Sequence, residues 1–190
     1  MPAPKIRPNN QMLLRNEIYL WGEINEGSSF HVVQDLHYLF LKKGINQRAN
    51  LYIHSDGGCL DATAAILDEI QYWTKQGATI STICQGKAYS AAAILLALGT
   101  KGERFAFPNS SIMLHEPSYD LPEDKAEQQQ KAAEFYASQI VNWNRLLCEA
   151  VGVTGRKKVK FLEDVKSTLW LNASSAIKYG IIDGIRRGEQ

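Results

Sequence analysis

The sequence predicts an α/β domain built on a largely parallel sheet. Three observations predict it. Short apolar runs alternate along the chain with stretches of helical periodicity, turn signals rich in glycine follow several of those runs, and 190 residues that are 45% hydrophobic suffice for one full-sized core. Each element follows from its own pattern. "EIYLWGEI" (17–24) is apolar and β-branched and reads as the first strand. From Ser28 to Lys43 the apolar residues fall at 32, 33, 36, 39 and 40, which is the spacing of a helix with one buried face. "NLYIHS" (50–55) is the second strand and runs into "DGG", a tight-turn signal. A helix from about Asp61 to Lys75 follows, then a strand over 78–84. Ala91 to Leu98 is apolar on every side, so this helix is buried all round. Short strands are expected at "RFAF" and at "SIMLH". The βαβα order calls for parallel pairing, because each crossover between parallel strands needs a helix.

The segment from Glu123 to Val151 differs. It begins polar, "EDKAEQQQKAAE", and then carries Tyr136, Ile140, Trp143, Leu147 and Ala150 at alternating spacings of four and three. That stripe is a helical seam, to be covered either by a partner subunit or by its own chain.

Composition removes several function classes. Lys plus Arg number 21 against 20 Asp plus Glu, so no field for nucleic acid or a membrane surface is implied. The one basic cluster, "RKKVK" at 156–160, reads as a solvated face. Cys59, Cys84 and Cys148 are odd in number, widely spaced and lack C-x-x-C pairing, which argues against disulfides or zinc and fits a reducing cytoplasm. Cys84 lies in "ATISTIC" and reads as a small buried hydrophobe. "MPAPKIRPNN" has no apolar signal region and no segment approaches the length of a membrane span, so a soluble, unprocessed protein is expected.

Ser90 stands at the mouth of the buried helix. Serine there caps a helix well, because its hydroxyl accepts from a free amide of the first turn. It also stands where a nucleophile could. The glycine turns at Gly57, Gly58 and Gly86 and the first amides of the helix at Ala91 offer two backbone donors, enough for an oxyanion hole. The general base would come from His31, His37, His54 or His115. His31 and His37 fall in the first helix and read as surface or packing residues. His54 lies on a strand near the Gly-Gly turn, and His115 ends "SIMLH" just before Pro117, where a ring can reach a neighbouring hydroxyl. Residue chemistry alone leaves cap and nucleophile both open.

"YIHSDGG", "STICQGKAYSAAAILLALGTKGERFAFPNSSIMLHEP" and "SSAIKYGIIDGI" resemble the proteolytic subunit of the Clp protease, the ClpP family of self-compartmentalising serine peptidases, over roughly residues 12 to 187. The specific parts are the serine before a small-residue helix, the "KG-x-RF-x-x-PNS" run, and "M-x-H-x-P" with its histidine 25 residues after the serine. The resemblance implies a ClpP/crotonase-type fold of repeated β-β-α units, a short N-terminal segment (1–11) and a protruding handle over about 118–151. It implies Ser90 as nucleophile, His115 as general base, and the Gly58 and Ala91 amides as oxyanion donors. It further implies peptide substrates, no cofactor and no metal. The assembly would be a homo-oligomer, a heptameric ring or a double-ring tetradecamer, served by an ATP-dependent unfoldase or shared with a ClpP paralogue.

The departures bear on activity. The family's catalytic Asp position carries Thr168, and Asp164, Asn172 and Asp56 are the candidates to substitute for it. "SPGG" becomes "SDGG", which brings a negative charge to the oxyanion turn. The glycine-rich strand after the histidine becomes "SYDLPEDK", whose Pro122 cannot donate to a peptide. "VKS" before Thr168 lacks the family's charged pair, so ring stacking is expected to be differently controlled, and the few residues before the first strand put unfoldase docking in question. Three readings follow: a ClpP-type serine peptidase, a weak or inactive subunit of a mixed ring, and a crotonase-type acyl-CoA enzyme, for which the chain is short.

Overall fold

The computed structural model describes residues 10–117 and 125–187, so the expectations for residues 1–9 and for Pro122 and its neighbours lie outside the described residues. After a five-residue helix α1 (Asn10–Leu14), strand β1 (Glu17–Trp21) leads to helix α2 (Glu26–Lys43). Strand β2 (Arg48–Ser55) and helix α3 (Leu60–Lys75) follow, then strand β3 (Thr79–Tyr89) and helix α4 (Ala91–Ala97). Strands β4 (Arg104–Ala106) and β5 (Ser111–Leu114) precede the long helix α5 (Ala126–Val151). The chain ends in α6 (Gly155–Lys166), β6 (Leu169–Asn172), α7 (Ala173–Tyr179) and β7 (Gly184–Ile185).

The main sheet runs β1-β2-β3-β4-β7 with every neighbour parallel. The core fills the face of the sheet that the helices cover: Leu51, Ile53, Ile80 and Cys84, on one side of the strands by register, meet Leu36, Leu39, Ile66, Ile70 and Leu95 on the helices, all essentially inaccessible. Helix α4 is buried on every residue, as its uninterrupted apolar run requires. Each of its fully buried aliphatic side chains contributes on the order of 2 kcal/mol of transfer free energy.

Helix α2 begins two residues before the predicted Ser28, because Asn25 caps it. Asn25 Oδ1 accepts from the Ser28 amide at 3.0 Å, and Ser28 Oγ accepts from the Asn25 amide at 3.0 Å. The larger departure is β3. Gly86 was expected to end a strand over 78–84; instead the strand continues through it to Tyr89. Thr82–Cys84 pair with β4, while Lys87–Tyr89 pair with β5, which in turn carries antiparallel β6. Gly86, at φ +89°, is the bend between the two pairings. Ser110 supports the bend, donating from Oγ to Cys84 O at 2.9 Å and accepting from the Gly86 amide at 3.1 Å. A Cβ at Gly86 would stand 2.7 Å from His54 Nδ1, so only glycine fits.

The seam of α5 is divided. Trp143 and Leu147 pack into the chain's own core, with Ala150 half-buried beside them, whereas Tyr136 and Ile140 are only half-buried and Phe135 and Val141 are exposed. The basic run 156–160 lies on the solvated face of α6, which buries only Phe161 and Val165. Arg104, 3% exposed, ties the chain's end to its middle. Its guanidinium donates to both carboxylate oxygens of Asp183, at 2.8 and 2.6 Å, and to the Ala97 and Ala150 carbonyls, each at 3.0 Å.

Candidate active site

The bend in β3 delivers its last residues to a sharp turn into α4, and Ser90 is that turn. Its φ of +55° and ψ of −127° are unusual for a residue with a Cβ, and a strand-to-helix turn of this kind thrusts the side chain clear of both elements. The turn is over-determined by its surroundings. The Ser90 amide donates to Met113 O at 2.8 Å, and Ser90 O accepts from the Ala93 and Ile94 amides at 3.0 and 3.3 Å. Gly57 lies against it so closely that a Cβ there would stand 2.8 Å from Ser90 Cβ and from Tyr89 O.

Ser90 makes no side-chain cap, which excludes the cap reading. Its Oγ instead meets His115 Nε2 at 2.8 Å. With the ring neutral and protonated on Nδ1, the hydroxyl donates and Nε2 accepts. His115 is the first residue after β5, so one strand positions the ring and its neighbour positions the hydroxyl. The other histidines are elsewhere. His31 is exposed on α2, His37 Nδ1 meets Glu69 Oε1 at 3.0 Å between α2 and α3, and His54 is structural, bonded to Gln85 O at 2.7 Å and stacked on Trp21.

The two glycine amides of the β2–α3 turn have different fates. The Gly57 amide, which looked open from the sequence, donates to Ser55 Oγ at 3.0 Å. Gly57 O accepts from the Ile24 amide and Ile24 O from the Cys59 amide, both at 2.8 Å, so Ile24 clamps the turn from each side. A Cβ on Gly58 would collide with the Ile24 carbonyl oxygen. Among the described residues neither the Gly58 amide nor the Ala91 amide has an acceptor. Two free donors thus flank the Ser90–His115 pair, on the turn before α3 and the first residue of α4. Ser55 and Ile24 are the residues that sequence reasoning missed; a small hydroxyl two residues before a glycine turn was the available signal for the first.

The third position is vacant of charge. The antiparallel register Leu114↔Leu169 brings Thr168 opposite His115 one step past the ladder. Thr168 is exposed and sits at φ +65°, a costly conformation for a β-branched residue. None of the three candidate substitutes reaches the histidine. Asp164 accepts from Lys160 Nζ at 2.6 Å and Tyr179 OH at 3.1 Å; the lysine's hydrogen bond pulls the carboxyl below its ordinary range against the opposing push of burial. Asn172 caps α7 through the Ser175 amide at 2.8 Å. Asp56 binds Lys87 Nζ at 2.6 Å, which also offsets the charge that the "SDGG" turn introduces.

Cys59 is exposed immediately after Gly58, at the start of α3. Cys84, beneath the bend, is buried, and burial pushes its thiol up to about 12 despite an opposing hydrogen bond with Ser110. Burial likewise pushes the Cys148 thiol up. Among the described residues there is no cluster of three or more His, Cys, Asp or Glu able to hold a metal, and no helix long and apolar enough to cross a membrane.

The Clp protease family profile matches residues 5–189. An ATP-dependent Clp protease proteolytic subunit of Carsonella ruddii is 36% identical over 177 residues, covering 93% of this chain and 86% of the relative. Subunit 2 of Frankia casuarinae is 36% identical over 180 residues, covering 94% and 78%, and subunit 2 of Chlamydia trachomatis is 34% identical over 174 residues, covering 91% and 82%.

Proposed function

The chain belongs to the Clp protease family, and we propose that it is a serine-type endopeptidase that hydrolyses short or unfolded polypeptides. The observation that carries this reading is the 2.8 Å contact between Ser90 Oγ and His115 Nε2 beside two amides without an acceptor among the described residues. Ser90 Oγ attacks the scissile carbonyl carbon while His115 Nε2 takes its proton. The carbonyl oxygen becomes an oxyanion and accepts from the Gly58 and Ala91 amides, which are fixed before substrate arrives. The imidazolium returns its proton to the leaving amine as the C–N bond breaks, leaving an acyl-enzyme on Ser90. Water, deprotonated by His115, then attacks the acyl carbon and releases Ser90. No step calls for a metal or an organic cofactor.

The assembly that fits this reading is a ring of copies, one heptamer or two stacked, with the half-buried and exposed N-terminal part of the α5 seam as handle. An ATP-dependent unfoldase would feed it, in the cytoplasm. A second reading is favoured by Thr168: with no carboxylate bonded to His115 among the described residues the pair turns over slowly, and the chain serves as a weak subunit beside an active paralogue.

The test is labelling with a fluorophosphonate, alongside cleavage of a fluorogenic peptide. Wild type is expected to label, and Ser90→Ala and His115→Ala to lose both labelling and turnover. A well-folded oligomer that neither labels nor cleaves would exclude the self-sufficient peptidase and leave the weak-subunit reading. Thermal shift by acyl-CoA, raising the melting temperature, would instead point to a crotonase-type enzyme.

A further inference from the structure

The two amides that flank Ser90 stand on different elements, so their separation depends on how the Gly57–Gly58 turn is held against α4. The turn is held unevenly. On the side of β1 it has backbone bonds, since Gly57 O accepts from the Ile24 amide and Ile24 O from the Cys59 amide. On the side of the nucleophile, backbone pairing stops at Ser55, opposite Ala88. Beyond that point Gly57 meets Ser90 and Tyr89 by packing alone. Among the described residues a single hydrogen bond joins residues 56–59 to β3 or α4, the ion pair of Asp56 Oδ2 with Lys87 Nζ at 2.6 Å.

Both ends of this pair are placed to act on the turn. Asp56 precedes two glycines, at φ +99° and +146°, which give the turn little stiffness of its own. Lys87 lies on β3 between the Gly86 bend and Ser90, and the ladder pair Lys87↔Ser111 fixes its backbone to β5. The carboxylate is therefore tied to the strand that delivers the nucleophile. The bridge is solvated, with 30% of the Lys87 side chain and 68% of the Asp56 side chain exposed, so dissolved salt weakens it.

We infer that Asp56 and Lys87 are a positioning pair for the hydrolysis: their bridge sets the distance between the Gly58 and Ala91 amides and makes the oxyanion hole sensitive to ionic strength. The inference rests on the peptidase reading above. Oxyanion donors act only within about 2.7–3.1 Å of the developing charge, so a turn that drifts by a few tenths of an ångström loses one of them. Binding of the peptide before attack does not use that position, so the pair acts on kcat and leaves KM unchanged. An exposed bridge is worth up to about fivefold in an equilibrium, which bounds the effect. The backbone offers an independent way to stiffen the turn. The Asp56 amide has no acceptor among the described residues, its φ is not positive, and Ser55 before it is extended at the end of β2, so proline fits at position 56 and can replace the charge by a fixed φ.

The experiment compares wild type with Asp56→Asn, Lys87→Met, the double variant and Asp56→Pro. Fluorogenic peptide turnover gives kcat and KM, and a fluorophosphonate gives the inactivation rate. Hydrogen exchange of the Gly57 amide, which donates to Ser55 Oγ at 3.0 Å, reports on the turn without any need for activity. Asp56→Asn and Lys87→Met should each lower kcat and the inactivation rate about threefold at unchanged KM and raise Gly57 exchange. The double variant should be no slower than either single one, and Asp56→Pro should recover most of kcat. Salt at about 0.5 M should slow wild type and leave the uncharged variants alone. Single variants that match wild type, losses that multiply in the double variant, a change confined to KM, or an Asp56→Pro no faster than Asp56→Asn overturn the positioning role. Wild type that does not label, with Gly57 exchange raised in both single variants, removes the peptidase reading and keeps the tether; labelling with kcat and Gly57 exchange unmoved removes the tether alone.

Discussion

Thr168→Asp is expected to accelerate the enzyme and stabilise it at once. Position 168 faces His115 across an antiparallel pair, where opposed Cβ atoms lie about 5 Å apart, so an Asp carboxylate reaches the vicinity of Nδ1. Two unit charges about 4 Å apart at an effective dielectric near 20 attract by about 4 kcal/mol. Position 168 is exposed, and discounting for solvent screening by half leaves about 2 kcal/mol on the imidazolium formed during attack. That is roughly 30-fold in kcat/KM, with about 1,000-fold as the unscreened ceiling, below the ~10⁴ lost when a complete triad gives up its carboxylate. The backbone gains as well. Asp tolerates φ +65° better than β-branched Thr, so about 1 kcal/mol of strain is relieved and Tm rises by about 2–4 °C. The assay is fluorogenic peptide turnover with fluorophosphonate inactivation rate, and a melting curve on the same sample. A folded, correctly assembled variant whose turnover rises less than about threefold would show that the missing carboxylate does not limit this site.

Gly57→Ala should abolish labelling of Ser90 and lower stability by about 1–3 kcal/mol, since its Cβ has only 2.8 Å to Ser90 Cβ at a φ of +99°; a labelled, stable variant would mean the turn can shift without harm. Arg104→Met leaves the mostly buried Asp183 without its fork and should cost about 3–5 kcal/mol, read as a fall in urea midpoint, whereas an unchanged midpoint would exclude the tie as a structural anchor. Burial alone pushes Asp183 up, but the Arg104 guanidinium, with the Arg104 and Gly102 amides, outweighs it and holds the carboxyl below its ordinary value. The stability this provides is therefore present above about pH 4 and lost as pH falls through the lower folded value, and Asp183→Asn should flatten that acid limb in urea titrations between pH 2 and 5.

The candidate site's two side chains are legible in the sequence through local signals and the family resemblance together. A serine before an all-apolar helix and a histidine closing an apolar strand each mark a candidate position, to which the family resemblance gives a role; helices α2 and α3 declare themselves through the helical period of their buried residues, and α4 through an unbroken apolar run. What escaped depends on pairing between distant segments. Gly86 reads as a strand end, yet Ser110 and the ladder to β5 turn it into a bend. Helix α6 is amphipathic, but charged residues dominate its segment and it buries only Phe161 and Val165, and strand β6 exists through its register with β5. The same distance hid which glycine amide stays free, since that depends on Ser55 Oγ, and why Asp56 cannot assist His115, since that depends on Lys87 thirty-one residues away.

The cysteines give the molecule a practical property. Burial that makes Cys84 and Cys148 poor nucleophiles leaves Cys59 as the one sulfur a maleimide meets in the native state. It lies one residue beyond Gly58, at the foot of the turn whose amide has no acceptor among the described residues. A dye coupled there without any change of sequence becomes an optical gauge of that turn, brightening or dimming as a ligand enters and leaves. The unmodified chain thus carries its own attachment point for following occupancy in real time.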